Sequence, residues 1–159
     1  MAENYLLRMY HKLNAMPMGN WLFSQIIARK APYFKSMRPR ILLLEQNRCQ
    51  VLLKKSRRVE NHIGTMHVIA TCNALEMAMG VMAEASVPPH LRWIPKGMEV
   101  EYENKGETDL IAEASIAPED WREGDVYIPV CAKDTQGKVA VSGRIKLWIT
   151  RKPDKKSSD

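Results

Sequence analysis

The sequence predicts an α+β fold in which one long apolar helix is wrapped by a curved antiparallel sheet. Three observations predict it. The stretch from Met66 to Glu84 is apolar nearly all round, so a helix there is buried on most sides. Short apolar runs lie on both sides of it, and several alternate with the period of a half-buried strand. Two helical patterns open the chain ahead of the strands, so the helices collect on one side of the sheet.

Each element follows from its residues. Tyr5, Leu6, Met9, Tyr10 and Leu13 recur at helical spacing, and Pro17 and Gly19 end that helix. A second helix runs from Trp21 to about Arg29 on Leu22, Ile26 and Ile27. Pro32 and Pro39 bracket an irregular stretch. Ile41 to Glu45 and Cys49 to Lys54 read as two strands turned by Gln46-Asn47. A polar loop from Lys55 to Thr65 leads to the long helix, with Thr65 as its N-cap and Gly64 giving the backbone freedom for a tight entry. Pro88 and Pro89 close that helix. Met98, Val100 and Tyr102 then alternate with Glu99, Glu101 and Glu103 as a strand with one wet face. Leu110 to Ala117, Val126 to Ala132 and Val139 to Ile149 are three more, the last two joined by the turn Asp134-Thr135-Gln136-Gly137.

The 159 residues suit one domain with a real core. Residues 1–40 form a helical extension, 41–150 the main domain and 151–159 a disordered basic tail. Three scattered cysteines, Cys49, Cys72 and Cys131, are too few for a disulfide framework and lie in apolar segments. Buried reduced thiols and a cytoplasmic location are the expectation. Glu3 and Asn4 stand where a secretory signal carries its basic residues. Met66 to Ala83 has the length of a short membrane span, but His67, Asn73 and Glu76 interrupt it. The net charge is +6, concentrated in Lys54-Lys55-Ser56-Arg57-Arg58 and in the tail. Such runs are either a solvated surface or the footprint of an anionic partner. No nucleic-acid motif accompanies them, and no metal-binding spacing is present.

The residues that ask for an explanation are Asn61, His67 and Glu76. A carboxylate inside an apolar helix is costly unless something there needs it. His67 stands six residues after Asn61, and Glu76 nine after His67. This pattern resembles the hotdog-fold acyl-CoA thioesterases of the phenylacetate type. Their signature is an Asn, a His-Gly-Gly at the helix start, and an Asp or Glu nine residues beyond that His. The segment Asp134-Thr135-Gln136-Gly137-Lys138-Val139-Ala140 is similar to the hairpin before their last strand. The resemblance spans about Ile41 to Ile149 and implies a hotdog fold. The chain departs from it at Val68-Ile69, where the family carries two glycines, and in having Glu rather than the more usual Asp.

The chemistry implied is thioester hydrolysis. The N–H groups around His67 and Val68 at the helix start would form an oxyanion hole. Glu76, buried and with its pKa raised, would be the general base, and Asn61 would hold the water or the carbonyl. His62, Gly64, Thr65 and Val68 would shape the substrate site, Asn73 would bond Glu76 from one turn away, and Lys54, Arg57 and Arg58 would meet the phosphates of coenzyme A. Met66, Met77, Met79, Met82 and Met98 either fill the core or line an acyl tunnel. Plainer readings stand beside these: a structural acid at Glu76, an exposed helix-start residue at His67, a turn residue at Asn61 and core filler at Asn73.

Nine helical residues rise roughly 13 Å and end about half a turn out of phase. His67 and Glu76 of one chain therefore face apart, and a homodimer with composite sites is expected, with a dimer of dimers possible. No cofactor is expected besides coenzyme A as part of the substrate. Two other functions compete. His62 stands fourteen residues before Glu76, a spacing similar to that of the hotdog dehydratases acting on 3-hydroxyacyl thioesters, although the Pro-Gly of their turn is missing. A non-catalytic acyl-CoA binder is the other.

Overall fold

The computed structural model describes residues 4–153. Helix α1 spans Tyr5–Asn14 and α2 spans Gly19–Lys30, followed by a 3₁₀ helix at Pro32–Met37. Strands β1 (Arg40–Glu45) and β2 (Arg48–Leu53) precede the long helix α3 (Val68–Ser86). Strands β3 (Leu91–Tyr102), β4 (Leu110–Ser115), β5 (Gly124–Asp134) and β6 (Val139–Arg151) complete the chain. The strands form one antiparallel sheet in the order β1-β2-β4-β5-β6-β3. The predicted architecture is therefore present: one curved sheet, one long helix on its concave face, and extra helices at the N-terminus.

The alternation read in the sequence sets the inner face. Cys49, Val51 and Leu53 of β2, Leu110, Ala112 and Ala114 of β4, and Val126, Ile128, Val130 and Ala132 of β5 are all buried. Helix α3 lies mainly over β2 and β4. Its Ala74, Leu75, Ala78, Met79 and Met82 are wholly or almost wholly buried there. Alanines facing alanines let helix and sheet approach closely, and the larger side chains fill the remaining space. α3 is long and apolar enough to cross a membrane, but this face is spent on the sheet.

The N-terminal helices share the same core. Tyr10 is buried, packs edge-on against the fully buried Phe23 at 5.1 Å, and donates its hydroxyl proton to the Leu42 carbonyl at 3.1 Å. The Ser24 hydroxyl accepts the Ile41 N–H at 2.8 Å and donates to the Asn20 carbonyl at 2.6 Å. Asn4 caps α1 and also donates to the Glu84 carbonyl at the far end of α3.

Several expectations shift. α2 starts at Gly19, two residues early. β3 starts at Leu91 rather than Met98, because Pro95 and Gly97 hide its first half in the sequence. A register slip between them absorbs the proline, which an edge strand tolerates. β6 runs to Arg151, which pairs with Leu91, and the Lys152 N–H reaches the His90 carbonyl. The expected tail thus opens with ordered residues, and 154–159 lie outside the described residues. The N-cap of α3 is His67, not Thr65. All three cysteines are free, but only Cys49 is buried; Cys72 and Cys131 are half-buried.

Candidate functional site at the start and open face of α3

The loop before α3 is built on Asn61. Its side-chain oxygen accepts the N–H groups of Ile63 and Thr65, both at 3.1 Å, and its amide donates to the Thr65 hydroxyl at 2.8 Å. The backbone closes the same turn, Asn61 N–H to the Thr65 carbonyl and Gly64 N–H to the Asn61 carbonyl. Gly64 sits at φ +76°, a conformation that side chains resist. Asn61 thus acts first on its own loop, the turn role weighed in the sequence.

The chain beyond is pinned from both sides. The Met66 N–H reaches the Gly106 carbonyl and the His67 N–H the Val59 carbonyl, each at 2.7 Å. The His67 ring Nδ1 accepts the Ile69 N–H at 3.1 Å. That bond leaves the ring proton on Nε2 in the neutral form. The N–H of His67, expected in an oxyanion hole, is therefore occupied. Among the described residues, the N–H groups of Val68 and Ala70 remain without acceptors at the first turn. They open near a hollow of about 460 Å³ lined by His62, Thr65, His67, Val68, Tyr102 and Glu103, among others.

Glu76 lies elsewhere. It lines a separate hollow of about 400 Å³ with Cys72, Asn73, Pro95, Gly97, Met98 and Ile145. It is half-buried rather than enclosed, and among the described residues it has no hydrogen-bond or ion-pair partner. The expected bond from Asn73 is not formed; Asn73 donates instead to the Tyr33 hydroxyl at 3.4 Å. The cause is the one side of α3 that the sheet leaves open. Ile69, Cys72, Asn73, Glu76, Gly80 and Glu84 recur every three or four residues and stay partly or fully exposed. This stripe lies toward the inner side of β3, where Trp93, Met98 and Val100 are half-buried and Tyr102 is 63% exposed. Among the described residues β3 pairs with β6 alone, so its outer edge has no partner strand there.

One chain therefore does not bring Asn61 and His67 together with Glu76, nor His62 with Glu76. Of the expected basic residues, Lys54 and Arg58 turn toward another hollow, lined also by Trp21, Lys35, Arg38 and Arg40; Arg57 is not part of it. Of the methionines, Met77 borders an apolar hollow under α1 and α2, Met98 borders the Glu76 hollow and Met66 the hollow at the start of α3, while Met79 and Met82 are core. Sequence reasoning missed Glu103 and Lys105 beside the start of α3. Glu103 read only as the wet face of a strand. It enters the site because β3 ends beside β6, where its carboxylate accepts the Ser142 hydroxyl. No local pattern marks that long-range pairing.

The sheet, the wrapped helix and the placement of these residues define a hotdog-fold protein. The chain belongs to the family described as domain of unknown function DUF4442, which it matches over residues 19–149. It is similar to the crystal structure of structural-genomics target APC5556, at 37% identity and a TM-score of 0.81, covering 92% of this chain and 98% of that one. It also resembles PA5026 from Pseudomonas aeruginosa, a protein of unknown function described as a probable thioesterase, at 18% identity and TM-score 0.75 over 86% of this chain and 97% of that one. The thioesterase HI1161 from Haemophilus influenzae follows at 9% identity and TM-score 0.66, with 75% and 82% covered. At 18% and 9% these two likenesses establish the fold. No curated protein matches the chain.

Proposed function

We propose that this protein hydrolyses acyl thioesters in a homodimer whose two sites each join the start of one α3 to the Glu76 of the other. The observation that carries the reading is Glu76 itself: a carboxylate without a partner, on the open stripe of the core helix, beside an unpaired edge strand. Along the twelve residues of β3, every second residue directs its backbone groups to that edge. Pairing with a second β3 about a two-fold axis satisfies them and places the two open α3 stripes side by side.

In such a site the thioester carbonyl lies over the first turn of α3. The Val68 N–H, aided by the positive end of the helix, stabilises the oxygen as it gains charge. Glu76 takes a proton from water as the water oxygen attacks the carbonyl carbon. The tetrahedral adduct collapses, the carbon–sulfur bond breaks, and the departing thiolate takes up the proton. Val68 and Ile69 keep the carbonyl farther from the backbone than glycines would. Asn61 positions the helix start through its loop. Coenzyme A is the carrier, and the acyl group extends toward the apolar hollow of about 480 Å³ between Leu6, Ile27, Phe34, Met77 and Trp93.

The test is thiol release across a panel of acyl-CoA esters, run beside Glu76→Gln. The wild-type chain should release thiol, and the variant should lose about a hundredfold or more in kcat. Undiminished turnover in Glu76→Gln removes Glu76 as the base. A 3-hydroxyacyl ester that gains a double bond without releasing thiol assigns the site to dehydration instead.

A further inference from the structure

The N-terminal helices build a second concave surface that thioester hydrolysis does not use. Trp21, Gln25 and Ala28 follow one another along one face of α2 and form one wall. The 3₁₀ helix gives Pro32 and Lys35, and the connection to β1 gives Arg38 and Arg40. Lys54 and Arg58, from the loop after β2, close the far side. The hollow measures about 690 Å³, within the range of small-molecule sites.

Its charge is one-sided. Lys35, Arg38, Arg40, Lys54 and Arg58 line it, and among the described residues no carboxylate does. Among the described residues none of the five forms an ion pair. Cations gathered around one concavity repel one another until an anion enters. Arg38 is the left-handed cap, at φ +49°, that ends the 3₁₀ helix, its N–H bonded to the Lys35 carbonyl. Trp21 is 43% exposed at the rim and offers a flat apolar face beside the cations. The Ser24 hydroxyl, which accepts the Ile41 N–H, ties α2 to the start of β1.

The hollow sits next to the proposed reaction site. Arg58 adjoins Val59, whose carbonyl holds the His67 N–H. Tyr33, between two residues of the wall, accepts the hydrogen bond of Asn73 on α3.

We infer that this hollow, completed by the N-terminal extension, binds the phosphate-bearing nucleotide end of the acyl carrier, with the guanidinium groups on the phosphates and Trp21 against the base. Arginine recognises phosphate bidentately, and an aromatic face stacks on a purine. The concave shape favours a compact ligand over a flat lipid surface. The assignment rests on the reading of the substrate as a coenzyme A ester, but its test does not depend on turnover.

The probe is adenosine 3′,5′-bisphosphate, which carries no thioester, titrated into the full chain by calorimetry at low ionic strength. One saturable site per chain is expected, weakening as salt rises. Arg38→Glu with Arg58→Glu should weaken it at least about tenfold. Arg122→Glu with Lys152→Glu, the same charge change outside the hollow, should not. Trp21→Ala should weaken the bisphosphate more than it weakens pyrophosphate. Melting curves establish that each variant is folded. Absence of binding at millimolar bisphosphate overturns the inference, as does equal binding by the Arg38/Arg58 variant. Sedimentation with anionic phosphatidylglycerol vesicles, lost in that variant while bisphosphate fails to bind, reassigns the hollow to lipid headgroups. A chain that binds bisphosphate but releases no thiol keeps this inference and loses the proposed hydrolysis; the reverse result separates them the other way.

Discussion

His67 is a cap before it is anything else. Its ring nitrogen satisfies the Ile69 N–H and its carbonyl takes the Thr71 N–H. His67→Ala should cost about 1 kcal/mol in urea unfolding, and His67→Asn should restore most of it, since Asn caps as well. Glu113 shows the same economy on the outer face. Burial raises its pKa, but hydrogen bonds from Gln50 and Arg48 outweigh that and hold it below the usual carboxylate range. A depressed carboxylate stabilises the fold above its unfolded pKa, and the contribution fades as pH falls through the lower folded value. Glu113→Gln should therefore be less stable than the parent by about 0.5–1 kcal/mol at pH 7, the range for a partly exposed pair. Urea midpoints should converge as the pH falls below the ordinary carboxylate range; a constant gap would mean that the charge is not the source.

Among the elements, α3 and the segments that hold its start matter most. The loop between β3 and β4 presses on that start: a Cβ on Gly106 would lie 2.7 Å from the Met66 Cβ. Gly106→Ala should push the two segments apart, weaken the Met66 N–H bond to the Gly106 carbonyl, and lower stability by about 1–3 kcal/mol. Thermal melting reads the loss, and faster hydrogen exchange at Met66 and His67 would localise it. A stable Gly106→Ala with unchanged exchange would mean that the loop is free to yield. β3 is the other decisive element. Its second half was legible from the alternation of Met98, Val100 and Tyr102 with three glutamates. Its first half was not, since Pro95 breaks the pattern and only pairing with β6 makes Leu91 to Ile94 a strand.

Across the whole molecule, the helix start and Glu76 occupy different hollows. The composite-site proposal therefore predicts a dimer in solution at micromolar concentration, by light scattering. Val100→Pro on the unpaired edge should shift it toward monomer and reduce thiol release in step. A wild-type monomer that turns over substrate would sink the shared site.

The fold class was legible because periodicity is local. An apolar helix flanked by alternating strands has few ways to bury itself, and the wrapped sheet is one of them. The spacing of Asn61, His67 and Glu76, and their separation along the helix, also stood in the sequence alone. The tertiary structure decided the rest. It left Glu76 half-open because the sheet covers only one side of α3. It moved the cap from Thr65 to His67 because Asn61 draws Thr65 into its own turn. It joined Lys54 and Arg58 to Trp21, Lys35 and Arg38, residues far apart in the chain. Periodicity fixes which face of an element is apolar; which part of that face stays uncovered depends on partners that only folding brings near.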